Sequence, residues 1–208
     1  MRLTTSFAVL LILLSGSFAN QASAQRADDK QLRPLFGGPV RQKPVSELLR
    51  TQDLPRISPR LLKGETSGPI QIVISLSKQR LYFMMNEETL IDSPISSGKR
   101  VGMTPTGNFT ILEKDPDHRS SVYGAFVDGN GRIVRAGVST KKDSAPAGTR
   151  YAGAPMKYFM RLTNEGVGMH VGILPGYPAS HGCVRLPEEV AKLIYQRVEI
   201  KQPVTITE

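Results

Sequence analysis

The fold is organised around two neighbouring stretches, MHVG over residues 169–172 and YPASHGCVRLP over residues 177–187. Together they hold the one cysteine of the protein, Cys183, and two of its three histidines, His170 and His181. A thiol has an ordinary pKa of about 8.5, but a neighbouring imidazole can take its proton and leave a nucleophilic thiolate. Gly182 lacks a Cβ, so the backbone there can approach a carbonyl group and direct amides at a developing oxyanion. These stretches therefore predict a nucleophilic cysteine–histidine site.

The segments next to this pair predict a hairpin and a helix. Strands over 158–163 and 167–172 flank the turn NEG at 164–166, and this hairpin carries His170. Apolar residues at positions 190, 193, 194 and 198 have helical spacing, and Pro187 precedes two acids, so a helix is predicted over 187–198. A short strand is predicted over 203–207.

Alternating and apolar segments upstream predict a series of short strands. Residues 70–77 alternate with a period of two, and 81–85 follows after a turn at 78–80, so the pair is a hairpin. Further strands are predicted over 90–97 and 108–112, with a glycine-rich loop at 98–107 between them. Strands over 122–127 and 133–138 flank the turn DGNG, and 141–155 is expected to be a loop. This pattern predicts a mainly β barrel or sandwich with one or two short helices.

The N-terminus has the pattern of a secretion signal. Arg2 is followed by a short apolar run over 7–14 and by ASA at 22–24, so we expect cleavage before Gln25. The apolar run is short for a membrane span, and an uncleaved anchor is the alternative. Residues 25–68, rich in proline and basic side chains, are expected to be a linker or an N-terminal extension. We expect the catalytic domain to cover 69–207.

Charge and cysteine content narrow the class of protein. The net charge is +9, and loss of Arg2 with the signal leaves +8. A basic exported protein suits an anionic envelope polymer, whereas the export signal and the lack of a basic-aromatic motif argue against nucleic acid. One cysteine cannot form an intramolecular disulfide, so Cys183 is either a free thiol or part of an intermolecular bridge.

At residues 180–185 the sequence SHGCVR resembles the catalytic domain of the L,D-transpeptidases, which are bacterial cell-wall enzymes. The mark of that family is a histidine, a loop and then Ser/Thr-His-Gly-Cys, an apolar residue, and Arg or Asn. The segment TPTGNF at 104–109 is similar to an upstream stretch of the family. The resemblance covers 69–207 and implies the family's mainly β fold of packed or barrel-closed sheets. Twelve residues separate His170 from Cys183, which is short for the family and predicts a tight loop over the site.

The resemblance implies roles for the residues of the motif. Cys183 matches the nucleophile, and His170 matches the general base and acid, oriented by a backbone carbonyl of a neighbour such as Val171. The amides of Gly182 and Cys183, with His181, are implied to form the oxyanion hole. For His181, a role in shaping the pocket and a direct chemical role stay open.

Two further motif residues have two interpretations each. Ser180 is expected to hydrogen-bond within the loop, and lining the pocket is the alternative. Arg185 is implied to lie near the substrate or to brace the loop, and an ordinary ion pair is the alternative.

The implied reaction has two steps and needs no metal or organic cofactor. Cys183 attacks the carbonyl of the L-centre of diaminopimelate in a stem tetrapeptide, and the terminal D-alanine leaves. An amine then attacks the thioester. A second diaminopimelate gives a cross-link between stems, and a lysine of an envelope protein gives an anchored protein. Water would make the enzyme a carboxypeptidase. The implied location is the periplasm or cell envelope, and no stable membrane span is expected.

Several other interpretations compete with this one. His170, His181 and Cys183 could ligate zinc, although a spacing of two between the last pair is awkward for one ion. The β domain could be a non-catalytic wall-binding module. A papain-like protease would have the cysteine before the histidine, which is the reverse of the order here. Hydrolase or amidase activity on peptidoglycan is the runner-up within the family.

Other polar and aromatic residues have weaker signals. We expect His118, in the charged segment DPDHR, to be solvated. Tyr158 and Tyr177 could line the cleft or simply pack. The segment over 104–107 is expected to be a structural turn and not a phosphate cradle, because no helix or lysine follows it in the required place.

Overall fold

A computed structural model describes residues 53–208, and the predicted signal sequence lies outside the described residues. Within this range the chain forms three open sheets and two helices, which confirms the mainly β prediction and favours packed sheets over a closed barrel. No helix of residues 53–208 is long and apolar enough to cross a membrane. The elements are β1 Arg56–Ile57, α1 Pro59–Leu62, β2 Ile70–Ser75, β3 Arg80–Met85, β4 Glu88–Pro94, β5 Gly107–Thr110, β6 Glu113–Asp115, β7 Arg119–Val127, β8 Ile133–Ser139, β9 Arg150–Pro155, β10 Phe159–Arg161, β11 Gly168–Val171, β12 Val184–Leu186, α2 Glu188–Arg197 and β13 Pro203–Thr207.

The largest sheet has six strands in the order β1-β4-β3-β2-β13-β5. Its centre is the predicted hairpin of β2 and β3, and the predicted C-terminal strand β13 pairs with β2 in parallel. The alternation in β2 buries Ile72 and Ile74 completely, as a strand with one covered face requires. Beyond β4 the chain forms a bridge from Ser96 to Arg185, which joins this sheet to the edge of the next one.

The second sheet has four strands in the order β12-β11-β10-β6, and it carries the motif residues. The predicted hairpin is formed by β10 and β11, whereas β6 and the parallel strand β12 were not predicted. Residues paired across neighbouring strands project from the same face of a sheet. The register therefore sets two rows of side chains on one face, in the orders Cys183, Gly168, Arg161, Glu113 and Arg185, His170, Phe159, Asp115.

The opposite face of this four-stranded sheet is part of the hydrophobic core. Met160, Met169 and Val184 are fully buried there, and they belong to the same cluster as the buried residues of β2 and β3. The predicted helix, α2, completes the cluster with Val190 and Ile194, four residues apart on one helical face. One face of the sheet is thus fixed by packing, which leaves the other free to form a site.

The third sheet has the order β8-β7-β9, and it shows one error in the prediction. Residues 141–155 were expected to be a loop, but β9 occupies the last six of them and pairs with β7. Its sequence RYAGAP lacks the branched, alternating residues that mark strands. Glycines allow the close approach instead, because a Cβ at Gly124 would lie 2.2 Å from the Ala152 carbonyl oxygen.

The described part of the N-terminal segment packs on the domain. Strand β1 pairs with β4, and Leu61 of α1 is fully buried in the common core. Arg197 of α2 donates a 2.9 Å hydrogen bond to the carbonyl of Leu61, so the two helices are joined as well. Residues 56–62 therefore contribute to the core although they precede the range that resembles the family.

We predict that Leu61→Ala lowers the free energy of unfolding by about 2–5 kcal/mol, because it leaves a cavity in the core. Leu62→Ala is the matched control, since Leu62 lies in the same helix and is 59% exposed. Urea unfolding of both variants measures the effect. Equal effects of the two substitutions would contradict the packing of α1 on the core.

Candidate active site

A cleft of about 1030 Å³ lies over the free face of the four-stranded sheet. Its walls come from β7 and the segments after β8 and β9, and from the β10–β11 turn. Both His170 and Cys183 line it, together with Ser180, His181, Gly182 and Arg185. The structure thus brings together all six site residues predicted from the sequence.

His170 lies in the middle of β11 and is buried. Its Nδ1 lies 2.7 Å from the Val171 carbonyl oxygen, which can only accept, so Nδ1 carries the proton and Nε2 of the neutral ring has a free lone pair. Burial lowers the pKa of His170 to about 4, with smaller contributions from the charges of Arg185 and His118, against a raising effect of the Val171 carbonyl. The ring is therefore a neutral base at physiological pH.

Cys183 is the residue before β12 and is the free thiol of the protein. Its Sγ lies 3.5 Å from the carbonyl oxygen of Gly166, so the thiol can donate a weak hydrogen bond to it. Burial raises the pKa of Cys183, while a backbone hydrogen bond with Gly168 and the charges of Arg185 and Arg161 lower it. Burial is the largest of these causes, so at rest the cleft holds a neutral thiol and a neutral imidazole.

The loop before Cys183 is held by Ser180, which is buried. Its hydroxyl donates to the Cys183 carbonyl at 2.5 Å and accepts from the Gly182 amide at 2.9 Å. Ser180 thus makes the hydrogen bonds within the loop that the first interpretation expected. The Gly182 amide, expected in the oxyanion hole, is already used by this hydroxyl. Within residues 53–208 the Cys183 amide has no such partner, so it is the donor available for an oxyanion.

The predicted turn at 104–107 fixes the same loop from outside. Thr104 is buried, and its hydroxyl donates to the Gly182 carbonyl at 2.6 Å and accepts from the Gly98 amide at 2.8 Å. Gly182 has a φ of +141°, and a Cβ there would lie 2.9 Å from the Met103 carbonyl oxygen. Close approach of this neighbouring loop therefore requires the glycine.

His181 lines the same cleft, but its contacts are with Tyr123 and Lys99. Its ring stacks on Tyr123 of β7 with centroids 4.1 Å apart, and its Nε2 lies 3.3 Å from Lys99 Nζ. Burial and the charge of Lys99 lower the pKa of His181. Among residues 53–208 no three His, Cys, Asp or Glu side chains are grouped as metal ligands, so the zinc arrangement has no geometric support.

Two arginines place positive charge beside the thiol. Arg185 is half-buried, donates to the Ile173 carbonyl at 3.4 Å, and has no acidic partner within residues 53–208. The ion-pair interpretation of Arg185 is therefore wrong for the described chain. Arg161, which was not predicted, pairs with Glu113 at 2.6 Å in the same row as Cys183. Only the pairing of β10 with its neighbouring strands places Arg161 in the row of Cys183, and the sequence alone does not reveal that pairing.

His118 was expected to be solvated, and this prediction is wrong. It lines the cleft, stacks on Phe159 with ring centroids 4.3 Å apart, and places Nδ1 3.0 Å from the Asp115 carboxylate. Tyr158 packs on the core and on Tyr195, and neither Tyr158 nor Tyr177 lines the cleft. The charged residues of the DPDHR segment suggested an exposed loop, but the His118 ring lies in the cleft against Phe159.

The fold and the site define a mainly β domain with a free cysteine and a buried neutral histidine in one cleft. Residues 69–206 match the family model YkuD, the L,D-transpeptidase catalytic domain, and the chain belongs to this family. The comparison with curated proteins gives no match.

The chain is similar to solved structures of L,D-transpeptidases. An L,D-transpeptidase from Mycobacterium smegmatis is 23% identical with a TM-score of 0.51, and the alignment covers 69% of this chain and 60% of that one. L,D-transpeptidase 1 of Mycobacterium tuberculosis is 22% identical, with a TM-score of 0.48 and coverages of 67% and 62%. An L,D-transpeptidase from Stackebrandtia nassauensis is 18% identical, with a TM-score of 0.48, and the alignment covers 69% of this chain and 57% of that one. This chain spans about three-fifths of the length of these proteins.

We predict that His170 makes stability depend on pH between its unfolded pKa of 6.5 and its folded pKa of about 4. In this window His170 is protonated in the unfolded chain but not in the folded chain, so the free energy of unfolding falls as the pH falls. The contribution is on the order of 3 kcal/mol. Urea unfolding of wild type and His170→Gln across this range measures it. Parallel pH curves for the two proteins would show that the buried ring is not the cause.

We predict that Thr104→Val destabilises the protein by about 1–3 kcal/mol, because it leaves the Gly98 amide and the Gly182 carbonyl without their buried partner. Thr106→Val is the matched control, since Thr106 is exposed in the same segment. Thermal unfolding compares the two. A larger effect at position 106 would contradict the assignment.

Proposed function

We propose that the protein is an exported L,D-transpeptidase that forms an acyl-enzyme on Cys183 from peptidoglycan stem tetrapeptides. The observation that supports this most is the joint position of the thiol and the neutral, oriented imidazole on one face of a sheet inside a cleft. A nucleophile beside a base that a third group orients is the arrangement that acyl transfer requires.

In the first step, the thiol proton passes to Nε2 of His170 while Sγ attacks the carbonyl of the L-centre of diaminopimelate. The Cys183 amide donates to the oxyanion of the tetrahedral intermediate. The positive charges of Arg161 and Arg185 stabilise the thiolate character of the attacking sulfur. His170 then returns the proton to the leaving amine, D-alanine departs, and a thioester remains.

In the second step, an amine attacks the thioester, His170 takes a proton from the attacking nitrogen, and Cys183 leaves as the thiol. Either a second diaminopimelate or a lysine of an envelope protein supplies the amine. Reaction with water in its place would make the enzyme a carboxypeptidase, which is the second candidate.

The charge of the cleft suits an acidic peptide. Four cations line it, Lys141, Lys157, Arg161 and Arg185, against two acids, Glu165 and Glu188. Of the cations, Lys141, Lys157 and Arg185 have no acidic partner within residues 53–208. Stem peptides carry free carboxylates, which these cations can bind. The net charge of +9 would also attract the protein to an anionic wall, which fits the proposed location in the periplasm or cell envelope.

Incubation with a disaccharide-tetrapeptide tests this proposal. Wild type is expected to release D-alanine, Cys183→Ala none, and His170→Ala about 100- to 10,000-fold less, as for loss of a general base. Mass spectrometry of the products separates cross-linked from hydrolysed stems. Thr106→Val is the control and should keep the wild-type rate.

A carbapenem provides an independent test for the same thiol. We expect a stable covalent adduct on wild type and none on Cys183→Ala, because the chain has no other cysteine. An unlabelled wild-type protein that also releases no D-alanine would support the non-catalytic wall-binding module instead.

A further inference from the structure

His118 also lines the cleft, and it has no role in the steps above. His118 follows β6, and its ring stacks on Phe159, which lies between Asp115 and His170 in one row of the sheet. The ring of Phe159 in turn lies 6.5 Å from that of His170, centroid to centroid. His118 and His170 therefore line one cleft, with the ring of Phe159 between them.

The contact with Asp115 fixes which nitrogen of His118 is available. A carboxylate only accepts hydrogen bonds, so Nδ1 of His118 donates to Asp115 Oδ2 across 3.0 Å. Nε2 is then the nitrogen left for a ligand in the cleft, and in the neutral ring it is an acceptor. The Asp115 carboxylate holds the proton on Nδ1 and orients the ring, which is the arrangement of an aspartate–histidine base.

The acceptor half-reaction gives such a second base a role. A side-chain amine with a pKa of about 10.4 reaches the enzyme as an ammonium ion, which has no lone pair for attack. Conversion of an ammonium and a thioester into an amide and a thiol releases one net proton. His170 handles only the proton that moves from the attacking nitrogen to the departing sulfur. The first proton of the ammonium passes either to solution or to a second base in the cleft, and at neutral pH little of the amine is deprotonated in solution.

We propose that His118 is the base that deprotonates the acceptor ammonium, which extends the proposed transpeptidase function. Nε2 of His118 takes the first proton, and the freed lone pair forms the C–N bond to the thioester carbon. Nε2 of His170 takes a second proton from that nitrogen. The C–S bond breaks with its electron pair on Sγ, which receives the proton from His170. His118 then releases its proton to solvent through the cleft.

The charges around His118 are mixed, which suits reversible proton transfer. Asp115, Asp117 and Arg119 come from its own segment, Lys157 from the segment after β9, and Arg161 and His170 from the neighbouring strands. Of these, Asp115 is the one in direct hydrogen bond with the ring.

The test measures the ratio of amine transfer to D-alanine release, so that any general effect on acylation divides out. With a tetrapeptide donor and a side-chain amine acceptor at about pH 7, His118→Gln should lower this ratio by about 100-fold, as for loss of a general base. The deficit should shrink about tenfold for each pH unit, because solution hydroxide then supplies the neutral amine. An α-amine acceptor with a pKa of about 8 should show a much smaller deficit.

Two carboxylate variants separate the proton role from a structural one. Asp115→Asn should reproduce part of the loss, because it replaces the carboxylate that holds the proton on Nδ1 and keeps Nε2 as the base. Asp117→Asn removes the same charge two residues away, and within residues 53–208 its side chain has no hydrogen bond or ion pair, so the ratio should not change.

The outcomes are distinguishable. A ratio that is unchanged in His118→Gln, or reduced equally at every pH as for a carboxylate-binding residue, overturns the role of His118 and leaves the proposed function intact. Absence of D-alanine release from wild type overturns the proposed function and this extension with it. A loss that recovers with rising pH and with the α-amine acceptor supports the assignment.

Discussion

The pairing of β11 with β12 in parallel is the constraint on which the site depends. It fixes His170 opposite Arg185. Two residues earlier in both strands, the same register places Gly168 next to Cys183. The antiparallel partner β10 then adds Phe159 and Arg161 to the same two rows. A shift of one residue would turn every one of these side chains into the core and bring Met169 and Val184 to the cleft. Because those residues are fully buried, the hydrophobic core selects the catalytic register.

Local sequence patterns were sufficient for the parts of the fold that depend on local physics. Alternation predicted β2, the turn NEG predicted the hairpin that carries His170, and helical spacing predicted α2. Strands β6, β9 and β12 were missed because they are short or rich in small residues, and distant partners stabilise them. The parallel pairs β11–β12 and β13–β2 could not be predicted for the same reason, since the sequence of a strand does not determine which strand pairs with it.

The site shows the same division between local and distant information. The motif predicted which residues gather in the cleft, because its histidine, glycine and cysteine have chemical signatures of their own. The partners were not predictable: Thr104 reaches the loop from about 80 positions upstream, and Met103 is what requires a glycine at position 182. His118 was misjudged because its charged neighbours suggested solvent, whereas tertiary packing turns it onto Phe159.

The electrostatic state of the pair follows from this packing. Burial disfavours both the thiolate and the imidazolium, so neither charge exists at rest although the two groups line one cleft. In the proposed reaction, charge appears only as the thiol is attacking, where Arg161 and Arg185 act on the sulfur and the Cys183 amide is open to an oxyanion. Interactions that strengthen as the transition state forms accelerate the chemistry, whereas a preformed ion pair would have spent the same attraction on the resting enzyme. The neutral pair is therefore consistent with catalysis by a positioned base, with the arginines acting on the charge that develops.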